Sequence, residues 1–179
     1  MKLIKQMNQG ELAAFIDSHL RTHNINVVLS GGASVSIYSN FLYVSKDLDF
    51  IGIYTLDHKK IESVMSEIGF SRRGKYYTHP QTEYYVEFIS GPPTIGQNQV
   101  VEIIELQMET GIVRIISPTD SVMDRLAAYY YWKDLQAFEQ AILVAKNNAI
   151  DLEIIAEWSK MEGKEKEYQK FMKRINNET

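Results

Sequence analysis

No cysteine occurs in the 179 residues. That removes disulfides, thiolate zinc sites and a cysteine nucleophile, and it suits a reducing cytoplasm. Long apolar runs are missing too. The opening MKLIKQMNQGELAAF is interrupted by polar residues within its first turns, so it reads as neither a signal peptide nor a membrane span, and a cytoplasmic protein is expected. There is no excess of positive charge. A formal net charge of -4 argues against broad electrostatic capture of nucleic acid and favours a small partner, although Arg72-Arg73-Gly74-Lys75 forms a local basic patch. Internal repeats and low-complexity segments are absent. The histidines His19, His23, His58 and His79 show no metal-ligand spacing and none neighbours a serine in a hydrolase pattern, so they read as surface or packing residues.

What is present is organised around Ser30 to Phe50, SGGASVSIYSNFLYVSKDLDF. The run Asn26-Val27-Val28-Leu29 reads as a short buried strand. Gly31-Gly32 then removes side chains that would keep a phosphate from the backbone N–H groups opening the next helix. In Asp47-Leu48-Asp49-Phe50, strand periodicity puts both carboxylates on one face and the apolar pair on the other. Two convergent carboxylates suit Mg²⁺, a hard cation often shared with substrate phosphates.

The rest of the chain supplies a frame for this stretch. Asn8 with Glu11 has capping-box spacing, and Leu12, Phe15, Ile16 and Leu20 predict a helix to about Thr22. Asp57 caps a second helix bearing Ile61, Val64, Met65 and Ile68, which Gly69 ends. Strand-like runs follow at Tyr84 to Ser90, Val100 to Gln107 and Ile112 to Ile116, with a further short one over Lys75 to Thr78. Ser117-Pro118-Thr119-Asp120 starts a helix, and everything beyond it reads as helical. The expected fold class is therefore α+β: a mixed β-sheet flanked by helices over residues 1–116, and a C-terminal helical region over 117–179 packed on that core.

A strand, Gly31-Gly32, a short helix and Asp47-x-Asp49 on the next strand together resemble the nucleotidyltransferases of the polymerase β-like superfamily. Fourteen residues separate Gly32 from Asp47, a long gap for that pattern, so the helix or its exit loop is extended. The resemblance implies a third acid on a later strand. Glu83, Glu87, Glu102 and Glu105 all lie in or beside strand-like runs. Glu87, between Val86 and Phe88, has the hydrophobic-acid-hydrophobic setting that the resemblance requires, and Glu102, in Val101-Glu102-Ile103, is the alternative.

Farther on, DRLAAYYYWKDLQAFEQA resembles the C-terminal region of bacterial abortive-infection and toxin-type nucleotidyltransferases and of related uncharacterised proteins. That likeness implies that Arg125, Lys133 and Asp134 face a nucleotide. The resemblance as a whole implies an Mg²⁺-dependent transfer of a nucleoside monophosphate from an NTP to an acceptor hydroxyl. Asp47, Asp49 and Glu87 would act as catalytic acids holding two Mg²⁺ (or Mn²⁺) ions, and Ser30, Gly31, Gly32 and Ser34 would hold phosphates. The acceptor stays open among tRNA, another protein and a small molecule, and a cognate antitoxin is an expected partner class. The competing reading is a non-catalytic nucleotide-binding or protein-interaction module on the same fold. The basic and aromatic residues Arg72, Arg73, Lys75, Tyr76 and Tyr77 read as an RNA or acceptor contact or, more plainly, as a basic hairpin edge.

Overall fold

The computed structural model describes residues 2–96, 98–99 and 102–176, with backbone only for Asn98 and Gln99. A 3₁₀ turn, Ile4–Gln6, leads to α1 (Gln9–Thr22). Asn8 Oδ1 accepts from the Glu11 N–H at 2.9 Å and Glu11 Oε2 accepts from the Asn8 N–H at 2.8 Å, the reciprocal cap that the spacing predicts. β1 (Val27–Ser30), α2 (Gly31–Tyr38), β2 (Asp47–Gly52) and α3 (His58–Glu67) follow. Asp57 accepts from the N–H groups of Lys59 and Lys60, and Gly69 ends the α3 segment at φ +83°.

Next come β3 (Ser71–Arg73), β4 (Tyr76–Thr78), β5 (Tyr85–Ile89), β6 (Thr94–Ile95), β7 (Asn98–Gln99), β8 (Ile103–Met108) and β9 (Gly111–Ile116). Of the run expected over Val100 to Gln107, Val100 and Val101 lie outside the described residues and the strand itself begins at Ile103. The main sheet has seven strands in the order β3-β4-β5-β2-β1-β9-β8. It is mixed, as expected. β1 pairs β2 antiparallel and β9 parallel, while β2 pairs β5 parallel. The β3–β4 hairpin, which carries Arg72 and Arg73, forms one edge, with β3 exposed, and β8 forms the other.

Helices α4 (Pro118–Trp132), α5 (Leu135–Asn147), α6 (Leu152–Met161) and α7 (Glu165–Asn176) complete the chain. Ser117 Oγ accepts from the Asp120 N–H at 3.1 Å, with Pro118 in the first turn where no N–H is needed. Tyr129 and Tyr130 are packing residues: the Tyr129 ring lies 4.5 Å from that of Phe138, and Tyr130 stacks on Trp158 at 5.3 Å. Tyr131 and Trp132 are exposed.

Two sets of polar contacts fix this frame. Buried Asp17 on α1 takes the Arg114 backbone N–H at 2.7 Å and its Nη2 at 2.6 Å, which fastens the helix to β9. Arg114 Nη1 also donates to Asn26 Oδ1 at 2.8 Å, so the buried guanidinium is well satisfied. On α2, the Ser34 hydroxyl lies 2.9 Å from that of Ser121 on α4. The Tyr38 hydroxyl donates to Ile116 O at 2.6 Å, and Asn148 Nδ2 donates to Tyr38 O at 2.9 Å.

Candidate active site

On β2, Leu48 and Phe50 are fully buried, whereas Asp47 and Asp49 are partly exposed on the opposite face. Register supplies the rest. Asp49 stands opposite Ser30 on β1 and opposite Glu87 on β5, so Ser30, Asp49 and Glu87 form a row across the middle of the sheet. Glu102 lies outside that row. It is exposed, precedes β8, and β9 and β1 separate its strand from β2.

The glycine turn closes on this row. Gly31 has φ +64°, and a Cβ there would stand 2.6 Å from Asp49 Oδ2, nearer than such atoms approach. At Gly32 a Cβ would meet Ser45 Oγ at 2.9 Å. The extended exit from α2 is pinned in place: the Ser45 N–H donates to Ser36 Oγ at 2.9 Å, and Gln9 Nε2 donates to Ser45 O and Asp47 O at 2.9 and 3.2 Å. The first turn of α1 thus braces the start of β2.

Charge is concentrated here. Burial pushes the Asp49 carboxyl up to about 6, and the neighbouring Asp47 and Glu87 add to the shift. Arg125 on α4 counteracts it in part, whereas Asp124 reinforces it. Burial works against the Arg125 guanidinium, but Asp124, which it grips through Nε at 3.0 Å, and Asp49 outweigh that and raise its affinity for the proton. Glu87 is held by Lys75 at 2.9 Å, and that hydrogen bond holds the Lys75 ammonium above its ordinary range. The oxygens of Asp47, Asp49 and Glu87 do not all come within 4.8 Å of one another. The Glu87 carboxylate is thus paired with Lys75, in the turn between β3 and β4, and does not form one tight three-acid cluster with Asp47 and Asp49.

No protein-family model matches the sequence, and no curated protein matches it. Among solved structures, an antigenic nucleotidyltransferase-like protein from Paracoccidioides brasiliensis superposes at a TM-score of 0.56 with 18% identity, over 76% of this chain and 74% of that one. The antibiotic-resistance factor ANT(2″)-Ia, solved in solution, superposes at 0.50 with 10% identity, over 91% of this chain and 92% of that one. The chain has a nucleotidyltransferase-like fold.

Within this nucleotidyltransferase-like fold the remaining expected residues divide. Ser30 precedes α2 with its side chain free of a capping bond, and Arg125 lies near enough to Asp49 to influence its proton. Ser34 is a correction: its hydroxyl is fully buried, donates to Gly31 O at 2.8 Å and meets Ser121, so it joins helices and presents nothing to a phosphate. Lys133 and Asp134 also have duties elsewhere. Lys133 ends α4 at φ +55° with its Nζ 3.1 Å from Glu167, and Asp134 caps α5 by accepting from the Ala137 N–H at 3.0 Å.

Sequence reasoning missed three contributors. Asp124, a further acid near Asp49, was visible only as half of an Asp-Arg dipeptide in the second turn of α4. Lys75 was seen as part of a basic segment, but its partner depends on the β4–β5 register, in which Tyr76 stands opposite Glu87. Gln9, fully buried, carries no sequence signal of its brace.

Proposed function

We propose that this chain transfers a nucleoside monophosphate from an NTP to an acceptor hydroxyl. The observation that supports this most is the row in which Asp49 is packed against Gly31 with Asp47 and Glu87 beside it, its carboxyl lifted to about 6 by burial and like charge. Such an all-oxygen donor set of three carboxylates fits Mg²⁺, or Mn²⁺ on the same oxygens. Asp47 and Asp49 would hold the ions, with Glu87 joining when Lys75 lets go. Bound there, they would supply positive charge to the reacting phosphate and the leaving oxygen.

The chain's own groups do the rest. The N–H groups that open α2 at Gly31 and Gly32 receive the β- and γ-phosphates, and Arg125 forks onto the phosphate chain. The acceptor oxygen attacks the α-phosphorus, the bond from that phosphorus to the β-phosphate oxygen breaks, and pyrophosphate leaves with the electron pair. Glu87 takes the hydroxyl proton. The acceptor is a hydroxyl on RNA, on another protein or on a small molecule.

The test is transfer of label from α-phosphate-labelled NTPs to pooled RNA, protein and small-molecule acceptors, with pyrophosphate release followed in parallel. Asp47→Asn and Asp49→Asn should each abolish transfer, and variants with wild-type turnover would overturn the assignment. A second reading, a nucleotide-binding module without turnover, has one observation in its favour, the Lys75–Glu87 pair that occupies the third acid. Calorimetry showing NTP and Mg²⁺ binding with no pyrophosphate release would establish it.

A further inference from the structure

Among the described residues, one set of three ligating side chains gathers its donor atoms within 4.8 Å of one another: His19, His23 and Glu67. The histidines lie one turn apart at the end of α1, so both rings leave the same side of the helix. Glu67 is the last residue of α3, and its Oε2 lies 3.4 Å from His19 Nε2 and 3.1 Å from His23 Nε2. Ligands about 2.0 to 2.2 Å from a tetrahedral Zn²⁺ stand roughly 3.3 to 3.5 Å from one another. The two edges that meet Glu67, 3.4 and 3.1 Å, are close to that size, and the third is no longer than 4.8 Å. The rings meet edge-on at 5.1 Å, and the side chains are 21%, 32% and 47% exposed, which leaves the outer side open to water.

We propose that His19, His23 and Glu67 bind one divalent cation of borderline softness, Zn²⁺ or its neighbours Co²⁺ and Ni²⁺, and that the ion clips the end of α1 to the end of α3. Two imidazoles and a carboxylate select such ions over Mg²⁺, which prefers oxygen alone. The carbonyl ends of both helices also place partial negative charge there. One contact opposes binding: His19 Nε2 lies 3.1 Å from Val64 O, and a nitrogen that ligates a metal cannot donate that hydrogen bond. A carboxylate and a second imidazole offset its loss.

This site is separate from the acidic row. Gln9, which touches Asp47 O, precedes His19 by ten residues on α1, or roughly 15 Å of helix. The inference therefore stands whether or not nucleotidyl transfer is the function. Protonated histidines paired with Glu67 would produce the same distances without any metal, so metal addition is the deciding measurement.

The experiment titrates the metal-free full chain with Co²⁺, in excess Mg²⁺ to fill the acidic row, and follows the d–d absorption band and Zn²⁺ competition. One tightly bound equivalent is expected, displaced by Zn²⁺ and accompanied by a rise in Tm. His23→Gln and Glu67→Gln should each weaken it at least tenfold, while Asp47→Asn leaves it unchanged. Failure to bind Co²⁺ below millimolar concentration, or both ligand variants binding as the wild type does, would overturn the site. Should His23→Gln not fold, Glu67→Gln, altered at a half-exposed helix end, decides alone.

Discussion

Glu87 stands directly opposite Asp49 across the parallel β2–β5 ladder, yet its carboxylate turns to Lys75 at 2.9 Å. In the proposed reaction a metal and an ammonium compete for one acid. Lys75→Gln should therefore lower the Mg²⁺ concentration needed for half-maximal nucleotide binding by roughly 2- to 5-fold, since the competing ion pair at this exposed lysine is weak. The melting temperature should hardly change. Calorimetric titration of Mg²⁺ with NTP present checks it, and an unchanged midpoint would show that Lys75 does not guard Glu87.

Asp49 makes the protein's stability depend on pH in a definite sense. Its carboxyl holds a proton more tightly folded than unfolded, so its stabilising contribution is complete below the ordinary value of about 3.9 and is lost as pH rises through about 6. In chelator at pH 8, Asp49→Asn should be more stable than the wild type by up to about 3 kcal/mol. Near pH 4 the difference should vanish. Paired thermal melts at the two pH values measure this, and a variant equally stable or less stable at pH 8 would refute the strain attributed to the acidic row.

Gly31 and Gly74 separate backbone strain from steric conflict. Both have positive φ, +64° and +65°, but a Cβ on Gly74 meets nothing within 4 Å, whereas one on Gly31 collides with Asp49. Gly74→Ala should cost about 1 kcal/mol and leave activity intact. Gly31→Ala should cost more than that in denaturant melts and should remove nucleotide binding, because Asp49 must move. Equal effects of the two substitutions would count against the close packing of Gly31 on Asp49.

The acids Asp47 and Asp49 were legible because strand alternation dictates which face they share, and that pattern lies within six consecutive residues. The caps at Asn8, Asp57 and Ser117 are equally local, so those helix starts could be read directly. Ser34 misled for a tertiary reason. Its place one turn into α2 suggested a phosphate ligand, but its exposure depends on α4, 87 residues away, which covers it with Ser121. The grouping of His19 and His23 with Glu67 was hidden for a similar reason. Their i, i+4 spacing was present in the sequence, but the third donor, Glu67, arrives from another helix. The very short strands β3, β6 and β7 have too few residues for any alternation to show.

Asp17 and Arg114 should dominate mutational sensitivity away from the candidate site. Asp17→Ala leaves a guanidinium buried against β9 without its carboxylate, a loss of about 3 to 5 kcal/mol. Replacing both residues by apolar ones of similar size should cost much less. A double-mutant cycle by urea denaturation gives the comparison, and a single variant within about 1 kcal/mol of the wild type would show that water reaches Arg114.

The hydroxyl contact between Ser34 and Ser121, with Tyr38 bonded to both Ile116 O and Asn148, ties the glycine-led helix to the two helices behind it. Arg125 rides on the same helix as Ser121, one turn farther along. The glycine turn and Arg125 thus sit on two helices bonded directly to each other. On the proposed reading, a nucleotide entering this cleft meets a mould already set. Capture then orders side chains only, and its rate is governed by diffusion and local charge and not by the closing of a lid.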